Sequence, residues 1–351
     1  MLIARAPVRI SFAGGGTDLP AYYERHGGMV VSTTLDKYFY VFVSLNGPES
    51  IQISSSDYRA YHRHRAGEPL LWDGSLGLVK AVLHEFGFES GISLFLASEV
   101  PPGTGLGSSS AVAVALVKAL STVRDLSLTP DEVAACACDI ELRKLGSPIG
   151  KQDQYAAAFG GLNAITFHRD GRVDVEPLAV SAETRARLQR RLLLFFTGST
   201  RDANSVLKHQ QRASGAASGD TVSALHAIKE AAWETRRCLE RGDLGAFGQI
   251  LADAWEQKKR LAPGVTNERI DQAYELARRH GAVGGKITGA GGGGFLMLYC
   301  EETYQPAVCE ALEGIGLYRM EFHFTQGGAQ VVMNALPRLS PGLLVAASPA
   351  R

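Results

Sequence analysis

The sequence of 351 residues predicts an α+β fold in two domains. Strand and helix patterns are mixed over residues 1–190, without the strict alternation of a parallel sheet. The apolar stretch RLLLFFTG (191–198) then indicates a buried strand that opens a second domain, 191–335. Within it, 285–324 follows the order strand, glycine turn, strand, helix, strand, which is an α+β arrangement. The tail, 336–351, is rich in proline and small residues, so we expect it to be poorly ordered.

The first elements follow from side-chain patterning. Residues 2–13 are alternating and β-branched, which predicts a strand that stops at three glycines. We expect Thr17 or Asp18 to cap a short helix reaching residue 26, before the next glycine pair. The elements predicted next are a long strand or a hairpin at 29–45, strands at 51–56 and 92–100, and a helix at 75–87.

The later elements include one unusually buried helix. From Ser109 to Val123 the pattern is apolar nearly all round, which predicts a helix covered on several sides. Thr129 as N-cap and Pro130 at the first position predict a helix over 129–145. The other predicted elements are helices at 152–161, 221–241, 243–261, 267–280 and near 302–314, a hairpin at 162–167 and 172–178, and strands within 285–300 and at 317–324.

Composition narrows the class of protein. Lys+Arg and Asp+Glu both number 36, so the basic excess typical of a nucleic-acid binder is missing. The five cysteines are scattered, which favours reduced thiols over a metal site. We find no run of about 18 apolar residues that predicts a membrane span. The start lacks a signal-peptide core, so we expect a cytoplasmic protein that does not bind membranes. The sequence leaves open whether the protein forms a homodimer.

The segment PPGTGLGSSS (101–110) predicts a phosphate cradle. Its glycines let backbone N–H groups approach a ligand, and its serines stand where a helix begins. It lacks the Gly-Lys-Ser/Thr ending of the common phosphate loop, and no second strand with a terminal acid follows, as a dinucleotide site requires. A plain turn between a strand and a helix would need one glycine, whereas this segment has three. Without the lysine, Mg²⁺ and the helix dipole must neutralise the negative charge of the phosphates. We expect Ser109 or Ser110, and an acid from another part of the chain, to contact the metal.

Three segments, in this order, resemble the signatures of the GHMP kinases, which include galactokinase, homoserine kinase, mevalonate kinase and phosphomevalonate kinase. They are APVR (6–9) with GGGTD (14–18), PPGTGLGSSS (101–110) and KITGAGGGG (286–294). The resemblance extends over residues 3–335 and implies that family's two-domain fold, with a mixed α/β ATP-binding domain and a ferredoxin-like α+β domain. It also implies that the third segment closes on the second, backbone against backbone.

The resemblance implies a role for each matching residue. Asp153 in SPIGKQDQY matches the proposed base, and Arg9 matches the basic residue that faces the transferred phosphate. Glu141 and Ser109 match the acid and the serine that hold Mg²⁺. The residues that would wrap ATP are Pro102, Gly103, Thr104, Gly105, Leu106, Gly107, Ser108, Ser109 and Ser110. Those that would contact the acceptor are Gly15, Gly16, Thr17, Asp18, Gly289 and Gly291.

Departures from the family pattern narrow the acceptor. Gly15 and Gly16 stand where galactokinases have Glu-His, which argues against galactose. FAGGGTDLPAYYERHGG, DKYFYV, LLFFTGSTRDA and GGKITGAGGGGFL together resemble the family of D-glycero-α-D-manno-heptose 7-phosphate 1-kinases. This resemblance implies transfer from ATP to the anomeric hydroxyl, giving the 1,7-bisphosphate for nucleotide-activated heptose synthesis. A cationic side chain must then bind the 7-phosphate, and Arg201 and Lys258 are the candidates.

Two alternatives stay open from the sequence. The chain could be another anomeric sugar kinase, such as an L-fucose kinase, or a nucleotide- and sugar-binding regulator that has lost catalysis. The joint presence of Arg9, Glu141 and Asp153 argues against the regulator.

Overall fold

The structure is a computed structural model that describes residues 1–57, 59–198, 206 and 219–337. Its larger sheet has nine strands in the order β13-β1-β2-β5-β3-β4, with β12 and β6 also paired to β2, and β7 to β6. All pairs are antiparallel except β3 with β5. The strands are β1 (Leu2–Ala13), β2 (Gly28–Leu45), β3 (Ser50–Ser55), β4 (Ala60–Arg65), β5 (Ile92–Ser98), β6 (Leu162–Phe167), β7 (Val173–Pro177), β12 (Phe324–Thr325) and β13 (Gln330–Asn334).

A second, antiparallel sheet has four strands in the order β11-β8-β10-β9. When the four strands of this sheet are numbered 1 to 4 along the chain, their order across the sheet is 4-1-3-2, which is the ferredoxin-like arrangement. Its apolar strands contact the helices of the second half, forming a separate core cluster around Trp255 and Phe195. The strands are β8 (Leu192–Phe196), β9 (Ala282–Ile287), β10 (Phe295–Cys300) and β11 (Tyr318–Arg319).

The α-helices cover these sheets and position the loops between them. Two short 3₁₀ helices, at Gly74–Leu76 and Glu302–Tyr304, and a π-helical turn at Asp139–Lys144 accompany them. The helices are α1 (Pro20–His26), α2 (Gly77–Glu85), α3 (Ser108–Val123), α4 (Pro130–Cys138), α5 (Gln152–Phe159), α6 (Ala182–Arg190), α7 (Asp220–Arg241), α8 (Leu244–Lys259), α9 (Glu268–Arg279) and α10 (Gln305–Gly314).

The buried helix and the proline-initiated helix are confirmed. Helix α3 packs against β1, β2, α4 and α5, and nearly all of its side chains are buried. Thr129 is the N-cap of helix α4: its hydroxyl accepts from the Glu132 amide, and the Glu132 carboxylate accepts from the Thr129 amide. The predicted helix does not stay α-helical to residue 145, because Leu145 donates to the Ile140 carbonyl over a wider π-helical turn that contains Glu141.

The predicted cap of the first helix is wrong. Helix α1 begins after Leu19, with Pro20 in its first turn and no side-chain cap. Thr17 and Asp18 are engaged elsewhere: the Thr17 hydroxyl bonds the backbone of Gly14 and Met29, and the Asp18 carboxylate accepts from the Gly16 amide. Both side chains therefore order the glycine turn instead of the helix.

The chain returns to the first sheet at its end. Strand β13 pairs with β1 and β12 pairs with β2, and neither pairing is visible in the sequence pattern. The strand predicted at 317–324 is reduced to the short β11, which pairs with β8. The domain limits at 190/191 and 335/336 stay a prediction, and residues 338–351 of the predicted tail lie outside the described residues. Among the described helices, none is long and apolar enough to cross a membrane.

Candidate active site

A cleft of about 500 Å³ lies where the three glycine-rich segments meet. Gly15, Gly16 and Asp18 line it from the turn after β1, and Pro102 and Gly103 belong to the wall that ends at the start of α3. The predicted residues that also line it are Arg9, Gly105, Gly107, Ser108, Ser109, Ser110, Glu141, Asp153 and Gly289. Residues distant in sequence therefore share one cavity.

An ion pair joins the first segment to the carboxylate predicted as the base. The Nε and Nη2 atoms of Arg9 lie 2.7 and 2.6 Å from Oδ1 of Asp153. Arg9 Nη1 donates to the Gly105 carbonyl at 2.6 Å, and the Arg9 amide donates to the Leu106 carbonyl at 2.9 Å. Because Arg9 is only 3% exposed, it fixes the carboxylate relative to the glycine loop.

The second oxygen of Asp153 faces the loop. A Cβ at Gly107 would lie 3.1 Å from Oδ2, a tight contact, so glycine leaves the most space beside this oxygen. Gly107 also has a φ of 74°, in the left-handed region, and serves as the N-cap of α3. Among the described residues, none donates a hydrogen bond to Oδ2. The carboxylate thus keeps one accepting oxygen next to the start of α3, where backbone amides favour an anion.

The third segment packs on the second with no side chain between them, as expected. A Cβ at Gly289 would lie 2.5 Å from Cα of Gly105, and one at Gly105 would overlap the Thr288 carbonyl. Gly294 meets the Thr104 backbone in the same way. The turn between β9 and β10 therefore holds the loop before α3 by direct backbone contact, and the expected close approach of the two segments is confirmed.

Glu141 is a buried carboxylate beside the serines of α3. Its Oε2 accepts from Gln154 Nε2 at 2.6 Å, and Ser109 Oγ lies 3.5 Å from its Oε1. Burial raises the pKa of Glu141 to about 7, with Asp153 adding to the rise and hydrogen bonds from Gln154 and Ser110 opposing it. A carboxylate and a hydroxyl are hard oxygen donors, so this pair fits Mg²⁺. In the part of the chain that the structure describes, no three or more His, Cys, Asp or Glu side chains lie close enough together to hold a metal ion.

Asp18 links the first segment to the segment before Asp153. Its Oδ1 accepts from the Gly16 amide at 2.9 Å and its Oδ2 from the Gln152 amide at 3.2 Å. Burial raises the pKa of Asp18, and the nearby Asp153 adds to this. Gly150 is required beside it, since a Cβ there would overlap the Asp18 carboxylate. Asp18 thus joins the turn after β1 to the start of α5 and still borders the cavity.

Some predicted contact residues do not reach the cleft. Thr17 is fully buried and bonded to backbone, which makes it a structural residue of the turn in place of the predicted acceptor contact. The side chains of Thr104 and Leu106 are also buried, and Gly291 packs against the Val265 backbone. Arg201 lies outside the described residues.

Other lining residues were missed. Gly150 and Gln152 border the cleft beside Asp153, and their place in SPIGKQDQY is the sequence signal that could have found them. Ser147 and Ile149 lie in the same segment. Leu19, Leu261 and Ala290 also border the cleft, but no pattern singles them out.

Two buried lysines stand near Arg9. Lys286 is 5% exposed and donates to the Phe12 carbonyl at 3.0 Å. Burial lowers the pKa of Lys286 to about 7, and the positive charge of Arg9 adds to this. Lys258 is 8% exposed and borders the cleft. Three basic side chains, those of Arg9, Lys258 and Lys286, therefore lie near one another, and Asp153 pairs with Arg9.

The fold and this arrangement define a phosphotransferase: a lysine-free glycine loop at a helix start, a buried acid with a serine, and an Arg-Asp pair in one cleft. Two family models match the chain, "GHMP kinases N terminal domain" over residues 75–161 and "GHMP kinases C terminal" over 235–316. The chain is 34% identical over 331 residues to a D-glycero-α-D-manno-heptose 7-phosphate kinase of Campylobacter jejuni, covering 93% of this chain and 97% of that relative. The chain belongs to the GHMP kinases, and it is an ATP-dependent sugar kinase.

Two further relatives show how far the likeness extends. A solved structure of a D-glycero-D-manno-heptose 1-phosphate kinase from Bacteriodes thetaiotaomicron matches with a TM-score of 0.80 and 30% identity, over 96% of this chain and 100% of that one. A bifunctional fucokinase/GDP-fucose pyrophosphorylase of Arabidopsis thaliana is 28% identical over 85% of this chain, which spans only 30% of that larger protein.

Proposed function

We propose that the chain transfers the γ-phosphoryl group of ATP to the anomeric hydroxyl of D-glycero-α-D-manno-heptose 7-phosphate, giving the 1,7-bisphosphate. The observation that carries this proposal is the near full-length likeness to a kinase named for that acceptor. The cleft supports it, because Gly15 and Gly16 leave the acceptor end without bulky side chains.

In the proposed reaction, Asp153 accepts the proton of the acceptor hydroxyl. A sugar hydroxyl is a weak nucleophile until its proton is accepted while the new P–O bond forms. Oδ2 of Asp153 is the oxygen for this role, since Oδ1 is held by Arg9. The hydroxyl oxygen attacks the γ-phosphorus, the bond to the bridging oxygen of ADP breaks, and the proton passes to Oδ2.

Arg9 and the glycine loop would stabilise the charge of the transferring group. The guanidinium contacts both the loop carbonyl at Gly105 and Asp153, so it stands between donor and acceptor. The amides at the start of α3 face the same cleft and favour the phosphate oxygens. Such preorganised donors lower the barrier because they need no rearrangement during the reaction.

Mg²⁺ would be held by Glu141 and Ser109, and it would neutralise phosphate charge that a lysine meets in other loops. Glu141→Gln is expected to raise the Mg²⁺ concentration needed for half-maximal activity at least about tenfold, because the neutral amide is a weaker ligand. Calorimetry of ATP binding with and without Mg²⁺ provides an independent readout. Equal Mg²⁺ dependence of the variant and the parent protein would assign the metal to other residues.

A panel of acceptors tests the proposed function. ADP release is measured with heptose 7-phosphate, heptose 1-phosphate, phosphate-free heptose and L-fucose, and ³¹P NMR locates the new phosphate. The 1-phosphate is included because the names of the two heptose kinase relatives differ in the phosphate position. We expect turnover of the 7-phosphate with a new phosphate at C1. Turnover of L-fucose without turnover of the 7-phosphate would reject the proposal in favour of the fucokinase alternative, which the Arabidopsis relative supports.

A further inference from the structure

Lys258 is a buried cation on the wall that the second domain contributes to the cleft. It occupies the last turn of α8, and its Nζ donates to the carbonyls of Ile287 at 2.7 Å and Gly289 at 2.6 Å. An ammonium group has three N–H donors, and these two bonds use two of them. Because Lys258 borders the cavity, one donor is left for a ligand in the cleft.

The positive charge around Lys258 is not balanced by the protein. Burial lowers the pKa of Lys258 well below its usual value, and the charges of Lys286 and Arg9 lower it further. Among the described residues, Asp153 pairs with Arg9, and no carboxylate pairs with either lysine. A buried cation that is bonded only to carbonyls and pairs with no carboxylate is costly, so an anionic ligand would relieve the cost that the two lysines impose.

The position of Lys258 assigns it to the acceptor side. Leu261, one turn further along the chain, borders the cleft and packs in a small cluster with Tyr22 of α1, the helix that follows Asp18. In the proposed function the triphosphate takes the donors of the loop at 103–110 and of the start of α3, which border the same cleft. A second phosphate in the same cleft would thus meet Lys258.

We infer that the Lys258 ammonium binds the phosphate group that the acceptor sugar already carries, and so selects sugar phosphates over free sugars. The inference rests on the proposed function for the presence of that phosphate. Lys258 is a specificity-determining residue in this account, and the proton transfer stays with Asp153.

Two substitutions separate phosphate binding from support of the glycine turn. Lys258→Gln keeps two N–H donors for the carbonyls of Ile287 and Gly289 but removes the charge, whereas Lys258→Met removes both. Each is assayed for KM and kcat with the sugar phosphate, with the phosphate-free sugar and with ATP. The matched control is Lys259→Met, since Lys259 is the next residue on the helix and forms an ion pair with Glu256 at 2.7 Å.

We expect both Lys258 variants to raise the KM for the sugar phosphate about 100-fold, the loss typical of one charge-assisted hydrogen bond to phosphate. In Lys258→Gln, which keeps donors for the turn, the KM for ATP and the turnover of the phosphate-free sugar should stay at the parent values. If the KM for the sugar phosphate were unchanged in Lys258→Gln but raised in Lys258→Met, the lysine would only support the turn. A rise in the KM for ATP alone would assign the ammonium to the triphosphate. Either result overturns the inference.

The inference and the proposed function fail in different ways. If the parent protein ignores heptose 7-phosphate but accepts another sugar phosphate, the proposed function fails and the Lys258 variants are tested on that acceptor. If the parent protein accepts only phosphate-free sugars, both are overturned.

Discussion

Asp153→Asn is expected to lower kcat about 1000-fold while leaving the affinity for ATP unchanged. The amide oxygen can still accept from Arg9, so the ion pair becomes a hydrogen bond and the loop contact of Arg9 with Gly105 is kept. The amide cannot take up the hydroxyl proton, so only the chemical step is affected. Steady-state kinetics and calorimetric titration with ATP measure the two quantities separately.

The control for this prediction is Asp139→Asn. Asp139 also pairs with an arginine, Arg143 at 3.1 Å, but its side chain is partly exposed and does not border the cleft. It should keep the parent kcat, because an exposed ion pair contributes little. Near-normal turnover of Asp153→Asn would show that transfer does not depend on a base at this position.

Gly289→Ala is expected to lower kcat/KM for ATP about 100-fold, because displacement of a positioning group by an ångström has effects of this size. Gly289 has a φ of 65°, and its new Cβ would lie 2.5 Å from Cα of Gly105. Backbone cannot rotate away as a flexible side chain can, so the turn must separate from the nucleotide loop. We also expect a loss of about 1–3 kcal/mol in the free energy of unfolding, as for other overpacked sites.

Gly47→Ala is the matched control for the glycine prediction. No atom lies within 4 Å of a Cβ at Gly47, and its φ is not in the left-handed region. Kinetics and thermal unfolding of this variant should match the parent protein. If the kinetics and thermal unfolding of Gly289→Ala also matched those of the parent protein, neither activity nor stability would depend on the close contact between the two segments.

The close approach of the three segments could be predicted from the sequence, because each segment contains residues whose role requires a partner from another part of the chain. A lysine-free phosphate loop needs a metal and an acid from elsewhere, and Glu141 and Ser109 do lie together. Arg9 and Asp153 are 144 positions apart, yet the order of the motifs was sufficient to pair them. Three glycines in the loop likewise anticipated a close approach, which Thr288 and Gly289 make.

What could not be predicted depends on tertiary contacts that leave no local pattern. Thr17 belongs to a motif for which the resemblance implied contact with the acceptor, but the direction of its side chain is decided by the backbone of Gly14 and Met29. Lys258 resembles any lysine near the end of a helix, and its burial follows from the turn of the second sheet that it supports. The return of β13 to β1 joins opposite ends of the chain, beyond the reach of any short window.

The most direct test of the central claim is a crystal structure of Asp153→Asn with a non-hydrolysable ATP analogue and the sugar phosphate. We expect the triphosphate on the amides of residues 103–110 and the anomeric oxygen about 3 Å from the side chain of residue 153, within hydrogen-bond reach. The third expected contact is between the other phosphate of the sugar and Lys258. A triphosphate bound away from the loop, or an anomeric hydroxyl directed away from residue 153, would contradict the account.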